Sequence, residues 1–95
     1  MKVIVIAHRN QSAQLKEFEP FLQEETNHVL KLIKMDVIRE VYSRNDKKGA
    51  IIVVECKDED DAKQIMSELP LFKANLLNFE IYGVNPYRGI VQHVS

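Results

Sequence analysis

The sequence has little of the residues that mark several large classes of protein. Its 95 residues include one cysteine, Cys56, and no tryptophan, and only 7% of them are aromatic. A single cysteine excludes an internal disulfide framework and is typical of a reducing compartment. So few aromatic side chains offer no platform on which successive nucleic-acid bases could stack.

An excess of one charge and long hydrophobic runs are also lacking. Lys and Arg number 13 against 14 Asp and Glu, which favours neither nucleic acid nor an anionic membrane as a partner. The longest apolar run, residues 3–7, is far shorter than the roughly 20 residues of a transmembrane helix. No signal-peptide cleavage pattern follows that run. We therefore expect a cytoplasmic protein that binds neither membranes nor nucleic acid.

Motifs for metals and cofactors are missing as well. The three glycines are isolated from one another, so the chain has no glycine-rich loop of the kind that surrounds phosphate groups. The three histidines do not have the spacing of metal ligands. We expect neither a metal nor a cofactor.

The residues that are present favour one globular domain. Hydrophobic residues make up 45% of the chain, an ordinary share for a folded protein, and 95 residues are too few for two cores. We expect a single domain over residues 1–95. Residues 87–95 form a C-terminal tail or arm in this prediction, because Pro86 closes the last predicted strand.

Hydrophobic periodicity predicts four strands and two helices. The predicted strands span residues 2–8, 37–44, 50–56 and 76–84. The first helix is predicted from Pro20 to about residue 35, after a polar loop over residues 9–16. The second begins at an N-cap, Asp58, and ends at Pro70, with a linker after it.

The order β-α-β-β-α-β is that of the ferredoxin-like α+β fold, with a four-stranded antiparallel sheet and strands one and three at its centre. Both of these strands carry apolar residues on both faces, whereas strands two and four are half polar, as edge strands should be. Two helices can cover only one face of the sheet. We expect a second copy of the chain to cover the other face, giving a homodimer or a larger homo-oligomer.

The segment from Ser67 to Phe72 (SELPLF), followed by Phe79 to Ile81 in the last strand, resembles the dimeric α+β barrel superfamily. Within it the chain is most similar to the muconolactone isomerase-like proteins, and the resemblance extends over residues 2–86 by element order. It implies a cofactor-free enzyme that acts on small unsaturated or lactone-type compounds. The YCII-like proteins are the second resemblance. They are associated with a histidine early in the first helix, where this chain has Glu25.

Glu25 is the principal catalytic candidate. On a helical wheel it falls among Leu22, Val29 and Leu32, inside the apolar stripe of the first helix. Partial desolvation there raises the pKa of a carboxyl group towards the range of a general base. The competing interpretation is that Glu25 extends outward into water. His28 lies one turn away, where it could share a proton with Glu25 or remain an exposed boundary residue.

Three further residues are candidates for substrate binding. His8 ends the first strand and could line the sheet end of a cleft. Arg39 shares one predicted face of strand two with Val37 and Val41, and would suit a carboxylate-bearing substrate. Tyr42 is predicted on the opposite face with Glu40. The alternative is that these polar groups pair with neighbouring strands or with the dimer partner.

Two hypotheses for function follow. The first is a cofactor-independent isomerase or related small-molecule enzyme, with Glu25 as general base. The second is a non-catalytic small-ligand-binding or assembly module with the same fold. An enzyme requires Glu25 to face a cavity between the first helix and the sheet. In a module, apolar side chains such as Leu22, Val29 and Phe79 would fill that space.

Overall fold

The strands and helices follow the predicted order. The computed structural model describes residues 1–90. Its elements are β1 (Lys2–Arg9), α1 (Leu15–Phe18), a 3₁₀ turn (Glu19–Phe21), α2 (Leu22–Lys34), β2 (Ile38–Ser43), β3 (Gly49–Glu55), α3 (Glu59–Ser67), α4 (Pro70–Lys73) and β4 (Leu77–Val84). The fold is the ferredoxin-like α+β arrangement that the sequence predicts.

The four strands form one antiparallel sheet in the order β2-β3-β1-β4, with β1 and β3 at its centre. Alternate residues of β1 are buried under the helices. Val3 lies opposite Val54 and Val5 opposite Ile52, and all four are at most 4% exposed. The main core therefore lies between this face of the sheet and the helices α2 and α3.

The other face of the sheet, here called the open face, has no helix on it. Ile4, Ile6 and Ile51 are half-buried at its centre, and Tyr42 and Tyr82 are exposed on the edge strands. Both faces of the central strands are thus apolar, as the sequence indicates. The face that carries Val3 and Val5 is the one that meets the helices.

Two short helices depart from the predicted element bounds. The expected polar loop over residues 9–16 gives way to α1, and Pro20 lies in the 3₁₀ turn, so that α2 begins only at Leu22. The second predicted helix, α3, ends at Ser67, three residues before Pro70, and Pro70 instead begins α4. Its position suits the start of a helix, where a missing N–H costs nothing.

The ends of the elements agree with the sequence in other respects. Asp58 is the N-cap of α3, and its Oδ1 accepts the Asp61 N–H at 2.8 Å. Beyond β4, Tyr87 and Ile90 are exposed, whereas residues 91–95 of the expected tail lie outside the described residues. Within residues 1–90, no helix is long and apolar enough to cross a membrane.

Candidate functional site

A cavity of about 210 Å³ lies between the α1–α2 segment and the sheet. Glu25 and Arg9 are the two charged residues on its wall, and the rest of the wall is apolar side chains and one glycine. Leu22, Val29 and Phe79 line the cavity. This half-open, largely apolar space with two charged groups has the general character of a small-ligand site, although such pockets are usually larger, at about 300–1,000 Å³.

Glu25 reaches this cavity from the first turn of α2. Its Oε1 accepts the backbone N–H of Leu71 at 3.0 Å, which joins α2 to the start of α4. Burial raises the pKa of Glu25, while the Leu71 hydrogen bond and the nearby His28 oppose that rise. Within residues 1–90, Oε2 accepts no hydrogen bond, so one carboxylate oxygen remains available to a ligand.

Arg9 is a residue of the cavity wall that sequence reasoning missed. It was read as the first residue of a loop, but it ends β1 and continues the helix-facing series of Val5 and Ala7 at a period of two. Its guanidinium lies 5.1 Å from the centre of the Phe18 ring, a cation–π contact. The alternation along β1, extended by one residue, was the signal that could have found it.

His28 does not line this cavity. It is half-buried on the other flank of α2, in a groove that also contains Glu24 and Lys73. Its influence on Glu25 is through its charge, which favours the ionised carboxylate. The structure therefore brings Glu25 and His28 near each other without directing both into one space.

His8 lies on the open face, at the end of the sheet. Arg44 donates to His8 Nδ1 at 2.7 Å, so that nitrogen must accept and the proton is on Nε2, which donates to Glu80. Hydrogen bonds from Tyr82 and His8 lower the pKa of Glu80. His8 thus belongs to a polar chain at the sheet end and lines a cleft there together with Arg9 and Arg44. It does not line the cavity that contains Glu25.

Tyr42 and Glu40 share the face of β2 opposite Val41, as expected, but Ile38 does not join them, because the strand contains a bulge between Ile38 and Glu40. The bulge breaks the simple alternation, so Ile38 and Val41 both face the helices, whereas Glu40 and Tyr42 lie on the open face.

The structure places neither Tyr42 nor Arg39 at the cavity. The Tyr42 hydroxyl donates to the Glu40 carboxylate, and this hydrogen bond raises the pKa of Tyr42. Arg39 is exposed at the bulge, where its Nε donates to the Asp36 carbonyl at 2.8 Å. The guanidinium on the cavity wall is that of Arg9.

Within residues 1–90, no group of three or more His, Cys, Asp or Glu residues is arranged to hold a metal ion. The chemistry available in the cavity is that of one carboxylate and one guanidinium in apolar surroundings. A carboxylate in this setting can accept a proton from a carbon acid, and a guanidinium can bind an oxygen anion.

The fold and the cavity together define the class: a ferredoxin-like α+β domain with a small cavity between helix and sheet. No protein-family model and no curated protein matches the sequence.

One solved structure with this fold is the 5-chloro-2-hydroxyhydroquinone dehydrochlorinase (TftG) from Burkholderia phenoliruptrix AC1100, in complex with 2,5-dihydroxybenzoquinone. The match has a TM-score of 0.74 and covers 94% of this chain and 98% of the dehydrochlorinase. Sequence identity is 13%, so the similarity establishes the fold and leaves the activity to be argued from the cavity.

Proposed function

We propose that this protein is a cofactor-independent enzyme, similar to the muconolactone isomerases, that moves a proton on a small single-ring compound. In this proposal Glu25 is the general base, and Arg9 orients an oxygen of the substrate. The observation that carries it is the position of Glu25: its carboxylate is half-buried in an apolar cavity, with one oxygen available to a ligand.

The proton transfer needs one residue of this kind. A base removes a proton from the carbon next to a carbonyl, and negative charge then develops on the carbonyl oxygen. The same carboxyl group can return the proton to another carbon, so that the double bond moves and Glu25 is regenerated. A guanidinium on the cavity wall would stabilise the charged oxygen, as electrostatic groups commonly do in such reactions.

The size of the cavity supports a single-ring substrate. About 210 Å³ is well below the usual range for sites that take drug-sized molecules. The dehydrochlorinase that shares the fold is named for a chlorinated hydroquinone, and its structure contains 2,5-dihydroxybenzoquinone, also a single ring. Oxygenated six-membered rings and five-membered lactones are therefore the compounds to test first.

The test is proton exchange at carbon, followed by NMR in deuterated water with unsaturated lactones and hydroxyquinones. We expect wild type to catalyse deuterium uptake into at least one of them and Glu25→Gln to lower the rate at least about a hundredfold, since general bases typically contribute 10²–10⁴-fold. Glu24→Gln is the matched control. It removes the same charge one residue away, from an exposed side chain that lines a different groove.

The non-catalytic module remains the second candidate, because the Leu71 hydrogen bond gives Glu25 a structural role that requires no reaction. A compound that binds the cavity without exchanging its protons would favour this alternative. Equal exchange rates for Glu25→Gln and Glu24→Gln would refute Glu25 as the base.

A further inference from the structure

A second space, here called the basic cleft, adjoins the cavity. It has a volume of about 590 Å³ and lies between the loop after β1 and the turn that joins β2 to β3. Arg9 and Phe18 line both the cavity and the basic cleft. The two spaces therefore lie on either side of Arg9 and Phe18.

The walls of the basic cleft carry an excess of positive charge. Its ionic side chains are Arg9, Arg44, Lys47 and Lys48 against one carboxylate, Asp46. A chain with 13 basic and 14 acidic side chains has no general surplus of cations, so this concentration is local. Such a cleft attracts anions, because low-dielectric walls focus the field of the charges that line it.

The one carboxylate in the basic cleft is already engaged. Asp46 pairs with Arg44, and its Oδ1 accepts the Lys48 N–H at 2.9 Å. These contacts lower the pKa of Asp46 and hold it ionised. Arg44 in turn donates to His8 and to the Ala7 carbonyl. Asp46 and Arg44 thus satisfy each other and stiffen the wall.

Three cations remain for a ligand. Within residues 1–90, the side chains of Arg9, Lys47 and Lys48 form no ion pair with a carboxylate. Stacking on Phe18 holds the Arg9 guanidinium in place, and Arg9 lines both spaces. Lys47 and Lys48 approach from the opposite wall, the β2–β3 turn.

We propose that the basic cleft binds the phosphate group of a phosphorylated single-ring compound, whose ring occupies the adjoining cavity. A phosphate monoester carries close to two negative charges at neutral pH, which three cations on two walls match better than the single charge of a carboxylate. Its three acceptor oxygens suit the guanidinium fork and two flexible ammonium groups. The placement of the ring beside Glu25 rests on the proposed function.

Phenyl phosphate, inorganic phosphate, benzoate and phenol are the probes, titrated into ¹⁵N-labelled protein by NMR. We expect phenyl phosphate to bind at least about tenfold more tightly than either benzoate or inorganic phosphate, because it engages both spaces. Amide shifts should appear at Lys47 and Lys48 in the cleft and at Ala50 and Leu77 on the cavity wall. The affinity should fall as salt is added, because the cations are exposed.

The double variant K47M/K48M should weaken phenyl phosphate binding at least about tenfold and leave phenol binding as it is. Lys31→Met with Lys34→Met is the matched control. It removes two exposed lysines of α2 and should preserve binding. Arg9→Lys keeps the positive charge but loses the planar guanidinium that can donate two parallel hydrogen bonds. Its affinity for phenyl phosphate should therefore be intermediate.

Three results would overturn the inference. Equal losses in the two double variants would indicate non-specific attraction. Equal affinities for inorganic phosphate and phenyl phosphate would identify free phosphate as the ligand. Absence of phenyl phosphate binding to wild type would reject the cleft as a phosphate site. None of these results affects the exchange test with uncharged lactones, which depends on Glu25 and not on the lysines, so the two proposals can fail separately.

Discussion

At Glu25, burial and hydrogen bonding act in opposite directions on one carboxyl group. Burial disfavours the ionised form, whereas the Leu71 N–H and His28 favour it, and the net effect is a pKa above the ordinary value of 4.5. A carboxyl group with a raised folded-state pKa contributes stability that is complete below its unfolded pKa. That contribution is lost as the pH rises through the folded pKa. Ionised Glu25 therefore makes the fold less stable at neutral pH.

We expect Glu25→Gln to relieve this cost, because Gln keeps an oxygen that can accept the Leu71 N–H and has no charge to bury. Its Tm should equal that of wild type at about pH 4 and exceed it at about pH 7.5. Thermal melts across this range measure the difference. Parallel curves, or a Glu25→Gln protein less stable at pH 7.5, would contradict the expectation.

Two control variants separate the effect of the buried charge of Glu25 from the effect of its hydrogen bond to Leu71. Glu24→Gln removes an exposed charge and should show no such pH dependence. Glu25→Met lacks both the charge and the acceptor for the Leu71 N–H, so it should be roughly 1–2 kcal/mol less stable than Glu25→Gln at all pH values, since a part-buried N–H is left unpaired.

At the scale of the strand and the helix, the sequence predicts element order well and departs from the structure where one residue has two possible roles. Pro70 can end a helix or begin one, and here it begins α4, because α3 has already ended at Ser67. The bulge after Ile38 shifts the faces of β2, and nothing in the local alternation of residues 37–44 marks it. Arg9 was missed for a similar reason, since a charged residue at a strand end resembles the start of a loop.

The candidate site was predictable in part. The apolar stripe of α2 indicated that Glu25 would face inward, and it lines the cavity. The choice of His8, Arg39 and Tyr42 depended on which strand faces meet the helices. Because β1 and β3 carry apolar residues on both faces, the sequence does not show which face meets the helices. In the structure the helices pack against the face of Val3 and Val5.

Gly49 is the first residue of β3, and the neighbouring strand leaves no room for a side chain there. It starts β3 with a φ of +155°, and a Cβ there would lie 1.8 Å from the Ala7 carbonyl oxygen, a backbone atom of β1. We expect Gly49→Ala to cost at least about 2 kcal/mol, because the central strand pair must separate. Thermal unfolding should show a Tm drop of about 4–8 °C per kcal/mol for a domain of this size.

Gly83→Ala is the matched control in the edge strand β4. A Cβ at Gly83 would meet Met1 Sδ and Glu59 Cγ at 2.8 and 3.0 Å, and both belong to flexible side chains that can move aside. Its cost should stay below about 1 kcal/mol. Equal destabilisation by the two substitutions would show that backbone crowding at Gly49 is not the cause.

On the scale of the whole molecule, the open face of the sheet is an apolar surface that no helix of the described residues covers. Its centre is aliphatic, with Ile6 directly opposite Ile51, and its edges carry Tyr42 and Tyr82 at 55% and 49% exposure. A domain of 95 residues buries a modest share of its surface, so covering this face adds substantially to stability. A second copy that presents the same face is self-complementary across a two-fold axis.

We therefore expect a homodimer or larger oligomer in solution, built through the open face. Light scattering at about 100 µM should give at least twice the 11.0 kDa of one chain, since assembly depends on protomer concentration. Ile6→Lys should dissociate it by placing an unpaired charge at the centre of the interface. Leu30→Lys, at a half-exposed position on α2, is the control and should remain assembled. A monomeric wild type, or dissociation by Leu30→Lys alone, would show that this face is not the interface and that the apolar centre of the sheet is stable in water.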